Sequence, residues 1–138
     1  MAAYSFLEGN NKQVDFGCSG FLKGNITEAI KRLCRELRPE KIILQLPPTG
    51  LDSKTQSSIQ EGFGRNTAVA LNLYGPPVVK NLVRARAAFG CRRREEARQF
   101  FGRIMGHDDL SKFTKREQMQ LINTITLAFD TVKASAAS

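Results

Sequence analysis

Proline lacks a backbone N–H and clashes with the preceding helical turn, so neither a helix interior nor a central strand runs through it. All five prolines of this chain, Pro39, Pro47, Pro48, Pro76 and Pro77, fall between positions 39 and 77. They cut the sequence into a proline-free opening, a punctuated middle and a proline-free remainder. The opening ends in the clearest helix, Asn25 to Arg38. Asn25 with Glu28 has the spacing of a capping box. Ile26, Ala29, Ile30, Leu33, Cys34 and Leu37 recur at three and four, which builds one apolar face. Pro39 ends it.

Between the prolines the elements must be short. Lys41 to Leu46 reads as a buried strand closed by Pro47-Pro48, and Ile30, Leu33, Leu37, Ile43 and Leu46 are expected to share a core. Asp52 and Ser53 can start a polar helix anchored on Ile59, with Gly62 and Gly64 as its stop. Thr67, Val69, Leu71 and Leu73 then alternate like a strand, although Ala68 and Ala70 leave a helix open. Before all of this, Tyr4–Leu7 and Val14–Phe16 flank Gly9-Asn10-Asn11 and suggest a hairpin.

The remainder reads as helical. Pro77 suits the first turn of a helix running to Phe89, with Val78, Val79, Leu82, Val83 and Phe89 inward and Gly90 as its stop. Arg92 to Met105 follows, burying Ala97, Phe101, Ile104 and Phe100; Gly102 inside it implies a close contact or a kink. Thr114-Lys115-Arg116-Glu117 is a capping box opening a helix to about Lys133. Its apolar residues Leu121, Ile122, Ile125, Phe129 and Val132 exceed what one face needs and predict a homo-oligomer contact. Residues 134–138 are expected to fray. The 138 residues fit one domain, and no linker or repeat divides them: a β and loop segment at 1–24, mixed structure at 25–76, a basic helical part at 77–133. The expected class is α+β, mostly helical, with a few short strands in the first half packed against a helical second half.

Charge is distributed unevenly. Residues 1–79 carry nine basic and seven acidic groups, whereas residues 80–116 carry eleven basic and four acidic. The eleven are Lys80, Arg84, Arg86, Arg92, Arg93, Arg94, Arg98, Arg103, Lys112, Lys115 and Arg116. Most are Arg, whose planar fork meets phosphate oxygens two at a time. Lys80 with Arg84, and Arg94 with Arg98, stand one helical turn apart and can straddle a phosphate backbone. Arg92–Glu96 and Glu95–Arg98 have ion-pair spacing; Arg84, Arg86, Arg93 and Arg94 are expected to be left without an acidic partner on their own helix. These residues form the candidate nucleic-acid site, RNA favoured, with an acidic protein, an anionic surface or a merely solvating face as the other uses of such charge. Base-reading motifs are absent, and Phe89 and Phe100 are the best stacking candidates, so contact to phosphates without sequence preference is expected. The role that fits is coating, packaging or protecting a strand, as a small viral nucleoprotein or coat protein does, in the cytoplasm or a virion.

Other chemistry finds little support. Cys18, Cys34 and Cys91 make no CxxC, and Cys34 lies on an apolar stripe where a thiol packs as a hydrophobe; a reducing compartment is expected. His107 with Asp108 and Asp109 cannot converge on one ion, and a helix stop at Gly106 with an Asp turn explains them better. Gly62-Phe63-Gly64-Arg65-Asn66 lacks the P-loop Lys-Ser/Thr, and no nucleophile–base pair is available. No enzyme, cofactor or metal is expected, and no run is long enough to span a membrane.

One run points elsewhere. Val14-Asp15-Phe16, then Gly17-Cys18-Ser19-Gly20-Phe21-Leu22-Lys23-Gly24, then the helix and Ile42–Leu46, resembles the opening of an extended short-chain dehydrogenase, whose fingerprint is Gly-x-x-Gly-Phe-Leu-Gly. Gly17 and Gly20 match, while the third glycine falls on Lys23. The resemblance implies a nucleotide-binding α/β unit using the Gly17–Gly24 loop. The family's Tyr-x-x-x-Lys occurs nowhere in the chain. A protein-interaction module is the remaining reading.

Overall fold

In a computed structural model the chain is α+β and mostly helical. The structure describes residues 2–10, 13–105 and 110–137, with side chains at 8–19 and 135–137 left aside. The element order is β1 (Ala2–Asn10), β2 (Gln13–Leu22), α1 (Ile26–Leu37), β3 (Ile43–Gln45), α2 (Ser53–Tyr74), β4 (Val78–Lys80), α3 (Leu82–Ala88), α4 (Arg94–Met105) and α5 (Lys115–Ala137). The expected turn at Asn11, the helix stop at Gly106 and the His107-Asp108-Asp109 group lie outside the described residues.

β1 and β2 form the expected hairpin, longer than its apolar stretches suggest. The ladder runs from Ala2 opposite Leu22 to Asn10 opposite Gln13, with an irregularity between Phe6 and Leu7. Gly17 to Leu22 is therefore strand, not a loop leading into a helix, and the dinucleotide-loop reading fails here. Gly20 has another use. It sits opposite Tyr4, and a Cβ built on it would lie in ordinary contact with the Tyr4 ring at 3.4 Å, so the ring lies across the glycine.

α1 forms as expected. Asn25 accepts from the Glu28 N–H at 3.4 Å, and Arg38 in the left-handed region (φ +48°) closes it ahead of Pro39. Its face is only half covered: Ala29 and Cys34 are buried, Ile30, Leu33 and Leu37 are partly so, and Leu46 is 45% exposed. The expected core of helix and strand is a satellite, not the main one.

The middle departs most from expectation. Residues 53–74 are a single helix in place of a short helix and a strand. Asp52 caps it twice, accepting from the Thr55 N–H at 2.9 Å and the Thr55 hydroxyl at 2.7 Å. Gly62 and Gly64 stay helical, and the chain turns at Gly75, where φ is +104°. A stripe of Ile59, Phe63, Thr67 and Ala70, at the spacing of a helix, is the covered side; Leu71 and Leu73 are exposed. Val78–Lys80 then pairs in parallel with Ile43–Gln45, completing a β–α–β unit. This displaces the helix expected from Pro77. Asn81 caps α3 instead, accepting from the Arg84 N–H at 3.0 Å, and Val79 and Val83 face outward at 42% and 71% exposure.

The core lies in the second half. Phe101 of α4 and Leu121, Ile122 and Ile125 of α5 have no exposed surface, and Cys91, Ala97, Met105 and Leu110 complete the cluster. Phe89 meets Phe101 edge-on at 5.3 Å. Met105 takes the inward place expected of Ile104 and Phe100, which are 40% and 45% exposed. Thr114 and Glu117 form the reciprocal capping box, at 3.0 and 3.2 Å. The helical backbone continues past Lys133 to Ala137. β1 lies along α5 on one side while α3 and α4 pack on it from others. Of the apolar girth that suggested an oligomer contact, Leu121, Ile122 and Ile125 are thus covered from within the chain.

The glycines make a test. A Cβ at Gly62 or Gly64 meets nothing within 4 Å, whereas one at Gly102 lies 3.3 Å from Leu110 Cδ1. Gly62→Ala and Gly64→Ala should each raise stability by about 0.5–1 kcal/mol. Gly102→Ala should gain less or lose, as read from chemical-denaturation midpoints.

Candidate nucleic-acid interface

The eleven basic residues do not remain one strip. Lys80 is on β4, not a helix, so it does not stand one turn from Arg84. Its ammonium reaches Asp130 of α5 at 3.2 Å, with both side chains largely covered. That pair ties the parallel strands to the central helix. Lys80 leaves the candidate site.

Arg86 is half-buried on α3 and donates from Nη2 to Asn123 Oδ1 of α5 at 2.8 Å, while its Nε is enclosed without a partner. Burial lowers the affinity of this guanidinium for its proton, and the nearby Arg94 charge lowers it further. It remains cationic at any ordinary pH. Arg98 is bound on both sides, to Glu95 at 3.9 Å and to Gln118 Oε1 at 3.2 Å. The first of these is the expected i,i+3 pair. The other expected pair is replaced: Glu96 accepts from the backbone N–H of Arg92 at 3.1 Å, acting as a cap.

The exposed cations are Arg84 on α3, Arg92, Arg93 and Arg94 at the start of α4, and Arg103 at its end. Lys112, Lys115 and Arg116 are exposed near the opening of α5. A joint of five residues, Phe89 to Arg93, carries the chain from α3 to α4. Gly90 at φ +73° turns the chain there, and the Cys91 N–H returns to the Arg86 carbonyl at 3.0 Å. Lys133 of α5 clasps the same corner, donating to the Ala88 carbonyl and lying 4.9 Å from the Phe89 ring centre. The corner therefore holds Arg86 and Arg94 close enough to repel. Phe100 is exposed and touches Phe89, their centroids 5.9 Å apart; Phe89 itself is half-buried.

Both cysteines described in side chain are buried, Cys34 and Cys91. Burial raises both thiols above their ordinary pKa, with Glu96 adding to the rise at Cys91 and Arg86 opposing it. They stay protonated and unreactive, the packing role expected for Cys34. Among the described residues no group of His, Cys, Asp or Glu converges on a metal position.

Charge counting over residues 1–79 hides a second basic group. Lys23, just after β2, and Arg32 and Arg35 on α1 line a shallow hollow with Asn25, Glu28 and Ala29. Its signal in the sequence is the i,i+3 spacing of two arginines with a lysine just ahead of the helix cap.

No protein-family model, curated protein or solved structure matches the chain. Among the described residues no helix is long and apolar enough to cross a membrane.

The division between structural and exposed arginines is testable. Arg86→Ala removes a hydrogen bond from a charged donor and leaves Asn123 unpaired, and should cost about 1–3 kcal/mol. Arg93→Ala should stay within about 0.5 kcal/mol of the parent, both measured by urea unfolding.

Proposed function

We propose that the protein binds single-stranded nucleic acid, RNA in preference, through the basic corner between α3 and α4, and coats or protects the strand without catalysing a reaction. The observation that carries this reading is the group of exposed arginines gathered at the corner. Burial, and then the nearby Arg94 charge, weaken proton binding at Arg86, and no carboxylate of the described residues lies within ion-pair distance of either arginine. A surface made only for solubility intersperses its charges. Here Arg84, Arg92, Arg93 and Arg94 are exposed around a fixed joint, while Glu95 faces Arg98 and Glu96 accepts from the Arg92 backbone N–H. A phosphodiester chain supplies the missing anions, and each guanidinium can present a fork to it. The exposed ring of Phe100 is available to a base.

Coating implies that copies meet along the strand. α5 is spent on the core, so the contact falls to apolar residues still exposed. Leu46 and Val79 share one face of the parallel pair, and Val83 follows on α3. The opposite face carries Lys80 toward α5.

Fluorescence anisotropy with unrelated single-stranded RNAs at several salt concentrations is the test. Log affinity should fall with log salt by about 0.7 per phosphate contact. Arg93→Glu combined with Arg94→Glu should flatten that slope by about 1.4, weaken all sequences alike and leave the fold intact. An unchanged slope in that variant removes the corner from the mechanism. Sedimentation with and without RNA checks assembly: a strict monomer on saturated RNA would rule out coating.

A further inference from the structure

We propose that the hollow at the start of α1 is a second phosphate-binding site, one that takes a backbone phosphate of the bound strand. The nature of the ligand rests on the reading above; the site itself does not. Lys23, Asn25, Glu28, Ala29, Arg32 and Arg35 enclose about 270 Å³ open to solvent. Gly24, at φ +76°, turns the chain between β2 and α1 and sets Lys23 at one rim. Ala29 is the one buried residue of the lining.

Three cations face one carboxylate. That carboxylate, Glu28, is engaged by Lys31 at 3.7 Å, on the neighbouring strip of the helix. Arg32 has acids one turn away in both directions, Glu28 and Glu36, at a spacing that ordinarily closes an ion pair. Among the described residues it bridges to neither, and Lys23 and Arg35 are in no ion pair either. Unpaired cations on a convex surface would mean only solvation. In a concavity their fields add, and several donors reach one anion. Asn25 gives its side-chain oxygen to the Glu28 N–H, which leaves its amide hydrogens for a ligand. Two guanidinium forks, an ammonium and an amide are a donor set for the oxygens of one phosphate.

The experiment uses the full chain as the parent, Arg32→Gln with Arg35→Gln, and Glu28→Gln. Glutamine keeps helix propensity and avoids repulsion with Glu28 and Glu36. Inorganic phosphate, titrated while amide resonances are followed by NMR, should shift residues 23–35 in the parent and not in the double variant. In anisotropy the double variant should bind single-stranded RNA about tenfold more weakly, with a salt slope flatter by about 1.4. Glu28→Gln should bind more tightly. Phosphate shifts that persist in the double variant would overturn the site. RNA binding that depends on Arg93 and Arg94 but ignores Arg32 and Arg35 would overturn the inference and leave the corner standing. Phosphate shifts without RNA binding by any variant would support the site and overturn the nucleic-acid reading. Vesicles rich in phosphatidylserine form the last arm, and binding to them in place of RNA would assign the phosphate to a lipid headgroup and overturn the inference as stated.

Discussion

Enclosure of α5 on several sides is the constraint from which the rest of the structure follows. Leu121 and Ile122, adjacent and about 100° apart on the helix, are both fully buried. One packing partner cannot cover both. The hairpin lies on one side and α3 with α4 on others, so the two halves of the chain are held by a rod that neither could satisfy alone. Polar groups along it are accounted for. The buried hydroxyls of Thr126 and Thr131 donate to the carbonyls of Ile122 and Leu127, at 2.7 and 2.9 Å, which avoids the cost of an unsatisfied donor. Asp130 and Asn123, at its margins, fix Lys80 and Arg86.

That arrangement decides which cations are available. A basic residue beside α5 becomes part of the scaffold; one pointing off the outer side of the α3–α4 corner stays in water. Linear sequence carries no trace of this division, because Arg86 and Arg84 look alike in it. The i,i+3 and i,i+4 rules found the Glu95–Arg98 pair because both partners sit on one helix. They could not find Lys80–Asp130 or Arg86–Asn123, whose partners lie 50 and 37 positions apart.

Legibility followed the same line between local and distant forces. Caps acting within three residues were readable at Asn25 and at Thr114 with Glu117, but the equally local cap at Asn81 was masked by Pro77. The hairpin was readable from its apolar stretches, although not its reach to Leu22. The middle departs from its pattern because glycine there is not punctuation. Gly62 and Gly64 keep helical φ at a propensity cost of about 1 kcal/mol each, which the Asp52 cap and the Ile59–Phe63–Thr67–Ala70 stripe offset. Val78-Val79-Lys80 departs for the opposite reason: Pro77 permits a helix, but a parallel strand partner and the Asn81 cap place its start later. Of the apolar excess on α5, Leu121, Ile122 and Ile125 are covered from within the chain while Phe129 and Val132 stay partly exposed, since a pattern states that a face is covered and not by what.

The hydroxyls of Ser5 and Thr124 meet across 119 positions of chain. Closing a loop of that length costs roughly 4 kcal/mol in chain entropy, before any neighbouring contact repays it. Synthesis from the N-terminal side presents the hairpin before the helix that receives it. Until residues 121–129 are available, the apolar residues of β1 and α4 lack the surface they are buried against. The core is therefore completed only when that segment joins the rest.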